Sequence, residues 1–266
     1  MSMIQDPDLA DVLSTAGADD LSLLIDVITD SGKGRISLSS TVCRQLSEAK
    51  ETQITDFERG LIAEELSRFG GNSLMNIFRG GSGVPYKELL GDVASHVGVG
   101  KGSDCAKMEL AIIGKVVEQS MSRMSEEDKA TFFDSLGGTY RPGMGPGALA
   151  TLLASLSATG TYQLTAAVAG ATMTSLVGRS VAFAGAAGMG RGFAVLTGPV
   201  GWAITGIWTA FDLASPAYRV TVPCVIQIGH MRQKMLLANA CPACAQPVDA
   251  GNKFCPSCGA SLKART

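Results

Sequence analysis

Residues 52–71 read Thr52-Gln-Ile-Thr-Asp-Phe-Glu-Arg-Gly-Leu-Ile-Ala-Glu-Glu-Leu-Ser-Arg-Phe-Gly-Gly71. Ile54, Phe57, Leu61, Ile62, Leu66 and Phe69 recur at three- and four-residue intervals. That spacing lines one face of an α-helix, and a half-buried strand would alternate instead. The run predicts a helix over 52–69, stopped by Gly70-Gly71 because glycine enters the left-handed C′ conformation at least cost. The same signals recur on both sides. Upstream, Asp6-Pro7-Asp8 reads as an N-cap, a proline at N1 and an acidic first turn. Asp19 or Asp20 opens a second helix carrying Leu21, Leu24, Ile25 and Ile28 on one face, ended by Ser-Gly-Lys-Gly at 31–34. A third runs near 39–48. Downstream, Asn72 or Ser73 caps a short helix through Phe78, and 80–83 is a flexible loop. Helices then follow near 86–96 and 104–124. Ser125-Glu126-Glu127-Asp128 starts another, with acids at the positive end of the helix dipole. It buries Phe132, Phe133 and Leu136 and ends at Gly137-Gly138. No alternating strand pattern emerges, so the fold class read here is mainly α, a helical bundle.

The charge distribution divides the chain of 266 residues into three parts. Hydrophobic residues make up 46% and charged ones only 17%, which excludes an intrinsically disordered chain. The net charge of −2 hides an asymmetry: residues 1–141 carry 14 bases against 22 acids, and residues 142–266 carry 8 bases against 2 acids. Residues 1–141 therefore form an acidic all-α head. Residues 142–235 form a Gly/Ala-rich apolar helical region that completes the same unit. Residues 236–266 form a small basic tail with four of the seven cysteines. The first 30 residues are acidic and lack the basic and apolar runs of a secretory signal, which points to the cytoplasm.

Several short motifs resemble the bacterial YaaW family. Glu65-Leu66, Phe69-Gly70-Gly71-Asn72-Ser73, Arg79-Gly80, Tyr86, Leu90 and Asp92-Val93 carry the first part of the likeness. Gly198-Pro199-Val200-Gly201, then Tyr218-Arg219-Val220-Thr221-Val222-Pro223 and Gln227-Ile228, carry the second. The resemblance spans about residues 5–235. It implies an all-α core grouped with the ubiquinol–cytochrome c chaperone domain, a chaperone-like role, and no catalytic residues. The glycine-rich middle and the cysteine tail depart from the family. Gly70-Gly71 and Ser73 read as helix punctuation, with Phe69 and Tyr86 as core residues. Alternatively, Arg79, Tyr86 and Asp92 lie on a partner-binding face.

The middle of the chain leaves three readings open: a membrane-spanning hairpin, conditional or peripheral contact with a membrane, and a soluble core. Between Pro142 and Phe211 the only charges are Arg179 and Arg191, and 13 residues are glycine. Segments near 160–178 and 192–211 are long enough to cross a bilayer, which takes about 20 apolar residues. Ser180, Ala184, Gly188 and Gly192 would form a small-residue stripe, a glycine zipper, for close backbone approach or homo-oligomer contact. Trp202 and Trp208 would sit at an interface, with Arg191, Arg219, Arg232 and Lys234 as basic flanks toward anionic lipid. The alternative is a tightly packed Gly/Ala hairpin within a soluble bundle, since prolines, glycines and hydroxyl residues interrupt both runs. After Pro223, Val225, Ile226, Ile228 and Met231 predict a final helix packing on the head.

The tail carries the most specific signal. Cys241-Pro-Ala-Cys244 and Cys255-Pro-Ser-Cys258-Gly259 are two C-x-x-C turns, each able to aim two thiolates at one ion. Together Cys241, Cys244, Cys255 and Cys258 fill a tetrahedral Zn2+ site, leaving no open position for a catalytic water. The tail resembles the short zinc-ribbon family, with Val248, Phe254 and Leu262 at matching positions and Ala245 replacing a usual glycine. Phe254 reads as core and not as a base-stacking platform, so nucleic acid is not the expected partner, and Cys43, Cys105 and Cys224 read as buried thiols.

Motifs for catalysis fail. Gly98-Val-Gly-Lys101-Gly-Ser103 lacks the first glycine of a phosphate loop and the Ser or Thr after its lysine. Gly143-Met-Gly145-Pro-Gly147 follows no strand. His96 and His230 have no nucleophile beside them, and Glu64, Glu65 and Glu126–Asp128 read as solvated helix faces. The expectation is a non-enzymatic, chaperone-like interaction or assembly factor at or near the inner membrane, its ribbon docking a protein partner. The alternatives are a membrane-inserting or pore-forming effector and an enzyme with an unrecognised site.

Overall fold

The computed structural model describes residues 4–70, 83–177, 217–244, 246–249 and 251–262. Among them lie ten helices: α1 (Pro7–Thr15), α2 (Ala18–Thr29), α3 (Ser40–Glu51), α4 (Asp56–Gly70), α5 (Tyr86–Val97), α6 (Cys105–Met121), α7 (Glu126–Ser135), α8 (Pro146–Ser155), α9 (Ala158–Val177) and α10 (Tyr218–Ala238). Pairing of β type among the described residues is confined to two isolated bridges in the tail. The fold is all-α, as the periodicity requires.

Local chemistry sets the boundaries. Asp6 accepts from the Asp8 amide, Asp104 from the Lys107 amide and Ser125 from the Asp128 amide, each satisfying a donor left over at a helix start. Gly98 and Gly137 take positive φ where α5 and α7 end. The helix expected over 52–69 begins four residues later. Thr55 caps the start: the Thr55 amide donates to the Glu58 carboxylate at 2.8 Å, and the Phe57 amide to the Thr55 hydroxyl at 3.3 Å. Phe57 is consequently an exposed residue of the first turn rather than part of the buried face. Gly70 is the last residue of α4, not a left-handed stop. Its missing Cβ is needed for packing, because a methyl there would lie 2.8 Å from both Leu89 and Val84. The short helix and loop expected over 72–83 fall almost wholly outside the described residues.

One hydrophobic core runs from Ile4 to Met231. Its axis is α10, which packs against α1, α2, α4, α5, α6 and α9. Every residue from Val220 to Met231 is buried, so this helix is covered on all sides. It also begins five residues before Pro223 and runs through it. An interior proline forfeits one backbone bond and costs about 3 kcal/mol in a helix. Burial of Val222, Val225, Ile226 and Ile228 offsets that loss.

The first apolar limb lies against this axis. Leu164–Met173 of α9 are all buried, and α9 packs on α10, α2 and α6. Among the described residues no helix is long and apolar enough to cross a membrane. The second limb (192–211), the stripe from Ser180 to Gly192, Arg191, Trp202 and Trp208 lie outside the described residues. Two of the basic flanks are used inside the bundle: Arg232 pairs with Glu109 and Lys234 with Asp20.

Candidate metal centre

The tail folds as two similar turns offset by 14 residues. In the first, the Cys241 amide donates to the Gln246 carbonyl and the Val248 amide to Asn239, both at 2.8 Å. In the second, the Cys255 amide donates to Ala260 and the Leu262 amide to Lys253, again at 2.8 Å. The bridges Ala240–Pro247 and Phe254–Ser261 repeat the same offset. Gly259 takes φ +71°, the left-handed position that closes the second turn. Its counterpart Ala245 lies outside the described residues.

This repeat brings the sulfurs of Cys241, Cys244, Cys255 and Cys258 within 4.8 Å of one another. Two of the separations cross between the turns, 3.8 Å for Cys241–Cys258 and 3.6 Å for Cys244–Cys255. Four thiolates about 2.3 Å from one tetrahedral ion stand about 3.8 Å apart, so the donor set fits zinc. Desolvation opposes ionisation of Cys255, but backbone N–H groups of Cys258 and Ser257, together with the neighbouring Cys244 and Cys258 thiols, outweigh it and bring the thiol down to about 6. The ribbon's own core is small: Cys241, Val248 and Cys255, with Cys244, Ala260 and Leu262 partly buried beside them. It is separate from the bundle core. Phe254, expected inside, is 63% exposed.

Two buried polar clusters in the bundle escaped the sequence reading. In the first, the Tyr86 hydroxyl and the Arg232 Nε each donate to the Glu109 carboxylate at 2.8 Å. Arg232 Nη2 also reaches the Asp8 carbonyl at 2.8 Å. Burial raises the Glu109 carboxyl, against the lowering effect of its Arg232 and Tyr86 bonds. In the second, Asp20 accepts from Lys234 at 2.7 Å and from Gln227 at 3.4 Å. His230 lies 4.0 Å from Asp20 and 3.4 Å from Thr165, and stacks on Tyr162. Desolvation pulls His230 down to about 4, keeping it neutral. These clusters tie α10 to α1, α2, α5, α6 and α9.

The other residues singled out by sequence fall as follows. Tyr86 is buried and faces Glu109, so it lies in the core and not on a partner-binding face. Asp92 pairs with Lys101 at 3.2 Å, and Arg79 is outside the described residues. Glu65 is buried and bonded to Arg68 at 2.8 Å, in contrast to the solvated face expected for it. His96 stacks on Tyr218 at 3.7 Å. Cys43, Cys105 and Cys224 are buried thiols.

A zinc-ribbon domain model matches residues 239–262. A UPF0174 protein of Helicobacter pylori strain J99 is 38% identical over 183 residues, which span 67% of this chain and 72% of that protein. A second from the same strain is 34% identical over 187 residues, 65% of this chain and 87% of the other. The UPF0174 protein YaaW of Escherichia coli K12 is 29% identical over 248 residues, 88% of this chain and 96% of that one. No solved structure matches.

Proposed function

The chain belongs to the UPF0174 family, and from that footing we propose a non-catalytic, chaperone-like interaction or assembly factor whose ribbon holds Zn2+ and docks a protein partner. The observation that carries this reading is Phe254. It is exposed on a turn whose neighbouring cysteine is buried and whose backbone is pinned to Ser261. A large aromatic side chain held rigidly at a surface is the kind of anchor that dominates protein interfaces. The closed four-sulfur site supports a structural role for the ion, since it offers no position for a bound water to react. The chaperone-like element of the reading rests on the family resemblance of the helical unit.

The proposed place of action is the cytoplasm, at the inner face of the membrane. The membrane element of this reading rests on the charge-poor sequence of residues 142–211 alone. Carbonate washing of membrane fractions tests it: a chain found wholly in the unwashed supernatant contradicts membrane association.

Affinity purification with the wild-type chain and with Phe254→Ala tests the docking role. The variant keeps all four cysteines, so its metal content is expected to be unchanged while its captured partners fall at least tenfold. An identical partner set from the two proteins contradicts docking through the ribbon.

A further inference from the structure

The seven cysteines fall into two groups of opposite reactivity. The bundle thiols are sequestered. Cys43 is buried with its sulfur 3.8 Å from the Gly32 carbonyl. Burial and the adjacent Asp8 push Cys105 up to about 11, and burial pushes Cys224 up to about 12. The thiolate is the reacting form, so Cys105 and Cys224 are inert near neutral pH, and burial shields Cys43. The ribbon is the reverse case. Cys258 is exposed and Cys244 half-buried, and each has a sulfur of the other turn within 3.8 Å. A zinc-bound sulfur is held as thiolate, so an oxidant reaching Cys258 meets a nucleophile with a second one beside it.

The consequence of oxidation is also confined. Among the described residues the ribbon buries three in its own core, whereas the bundle core is a separate and much larger cluster. Metal binding is what supplies the folding energy of structural zinc sites of this size, so loss of zinc removes what holds the ribbon together.

We propose that the ribbon is a peroxide-sensitive element: disulfides formed across its two turns expel the zinc and unfold it, while the helical bundle stays folded with its cysteines reduced. The Cys258 thiolate attacks one oxygen of hydrogen peroxide. The O–O bond breaks, the sulfur becomes sulfenic acid, and the hydroxide released takes up a proton to form water. The Cys241 thiolate then attacks the sulfenyl sulfur, the S–S bond forms, and the departing hydroxide leaves as a second water. Two electrons pass from the sulfurs to the peroxide. A second peroxide oxidises Cys244 and Cys255 in the same way. This inference rests on the zinc-holding reading of the ribbon proposed above.

The test uses the full chain loaded with zinc and treated with a small excess of hydrogen peroxide at neutral pH. Released metal is read with a chromogenic chelator, cysteine states by alkylation and peptide mass spectrometry, and helix content by circular dichroism. The expected result is loss of all bound zinc, disulfides confined to the four ribbon cysteines, Cys43, Cys105 and Cys224 still reduced, and unchanged helicity. Dithiothreitol with added zinc is expected to restore the original state. Zinc retained under peroxide, oxidation found first in the bundle, or sulfonic acids without disulfides would overturn the proposal. A chain that loses zinc as expected but captures the same partners before and after treatment upholds the switch and contradicts docking through the ribbon. A purified chain that takes up no zinc contradicts the ribbon reading itself.

Discussion

Arg232 reaches from α10 to Glu109 on α6 and to the Asp8 carbonyl on α1, while Glu109 is fully buried. Removing one partner of such a pair strands a charge in a medium that solvates it poorly, at a typical cost of 3–5 kcal/mol. Arg232→Ala is expected to lower the urea stability of the bundle by about that amount, and Arg232→Met combined with Glu109→Leu to recover most of it. His230 makes a second prediction. Its value of about 4 in the fold lies below the ordinary 6.5, so as pH falls the unfolded chain takes the proton first. The His230 contribution is whole above about pH 6.5 and is lost between there and about pH 4, a change of roughly 3 kcal/mol. Asp20 on α2 opposes that lowering and Lys234 on α10 reinforces it, and Tyr162 on α9 stacks on the ring. Urea unfolding at stepped pH checks the slope, and His230→Gln should flatten it within that window. Cys241, Cys244, Cys255 and Cys258 were readable from sequence because their spacing is itself the chemistry. Glu109 and Asp20 were not, since a helical carboxylate is usually solvated. The available signal was position: Glu109 stands four residues from both Cys105 and Ile113, on the stripe that faces the core.

Asp6 links two helices through one side chain. One oxygen accepts from the Asp8 amide at the start of α1, and the other accepts from the Tyr86 amide at 2.6 Å, at the start of α5. Two orphan amides lose their acceptor in Asp6→Ala, and with about 1 kcal/mol per cap the loss should approach 2 kcal/mol. Asp6→Asn keeps one of the two acceptors and should lose about half as much, which thermal unfolding of the two variants compares directly. Most elements were legible because their signals are local: N-cap residues, terminal glycines and apolar periodicity. The start of α4 was misplaced although Thr55-x-x-Glu58 marks it, because Ile54 extended the apolar pattern past the cap. The start of α10 was misplaced for another reason. Pro223 reads as a helix boundary, and only burial on every side, a tertiary effect, makes an interior proline tolerable.

At the scale of the molecule, two cores of very different size share one chain. The bundle joins residues on both sides of Pro142 into one apolar interior, with α10 threaded through it and its Arg232 and Lys234 matched by acids from the head. Part of the opposition between the acidic head and basic C-terminal half therefore resolves inside the fold. The ribbon follows the end of α10 with a separate core too small to order itself. The central claim is that a bound metal, rather than packing on the bundle, holds residues 239–262 in shape. Hydrogen exchange of the zinc-loaded chain with and without a strong chelator tests it most directly. The prediction is that chelation abolishes protection in peptides carrying the Cys241, Val248, Cys255 and Leu262 amides, which donate across the two turns, while α5, α6 and α10 keep theirs. Ribbon amides that stay protected in chelator, or protection lost through the whole bundle as well, would contradict it.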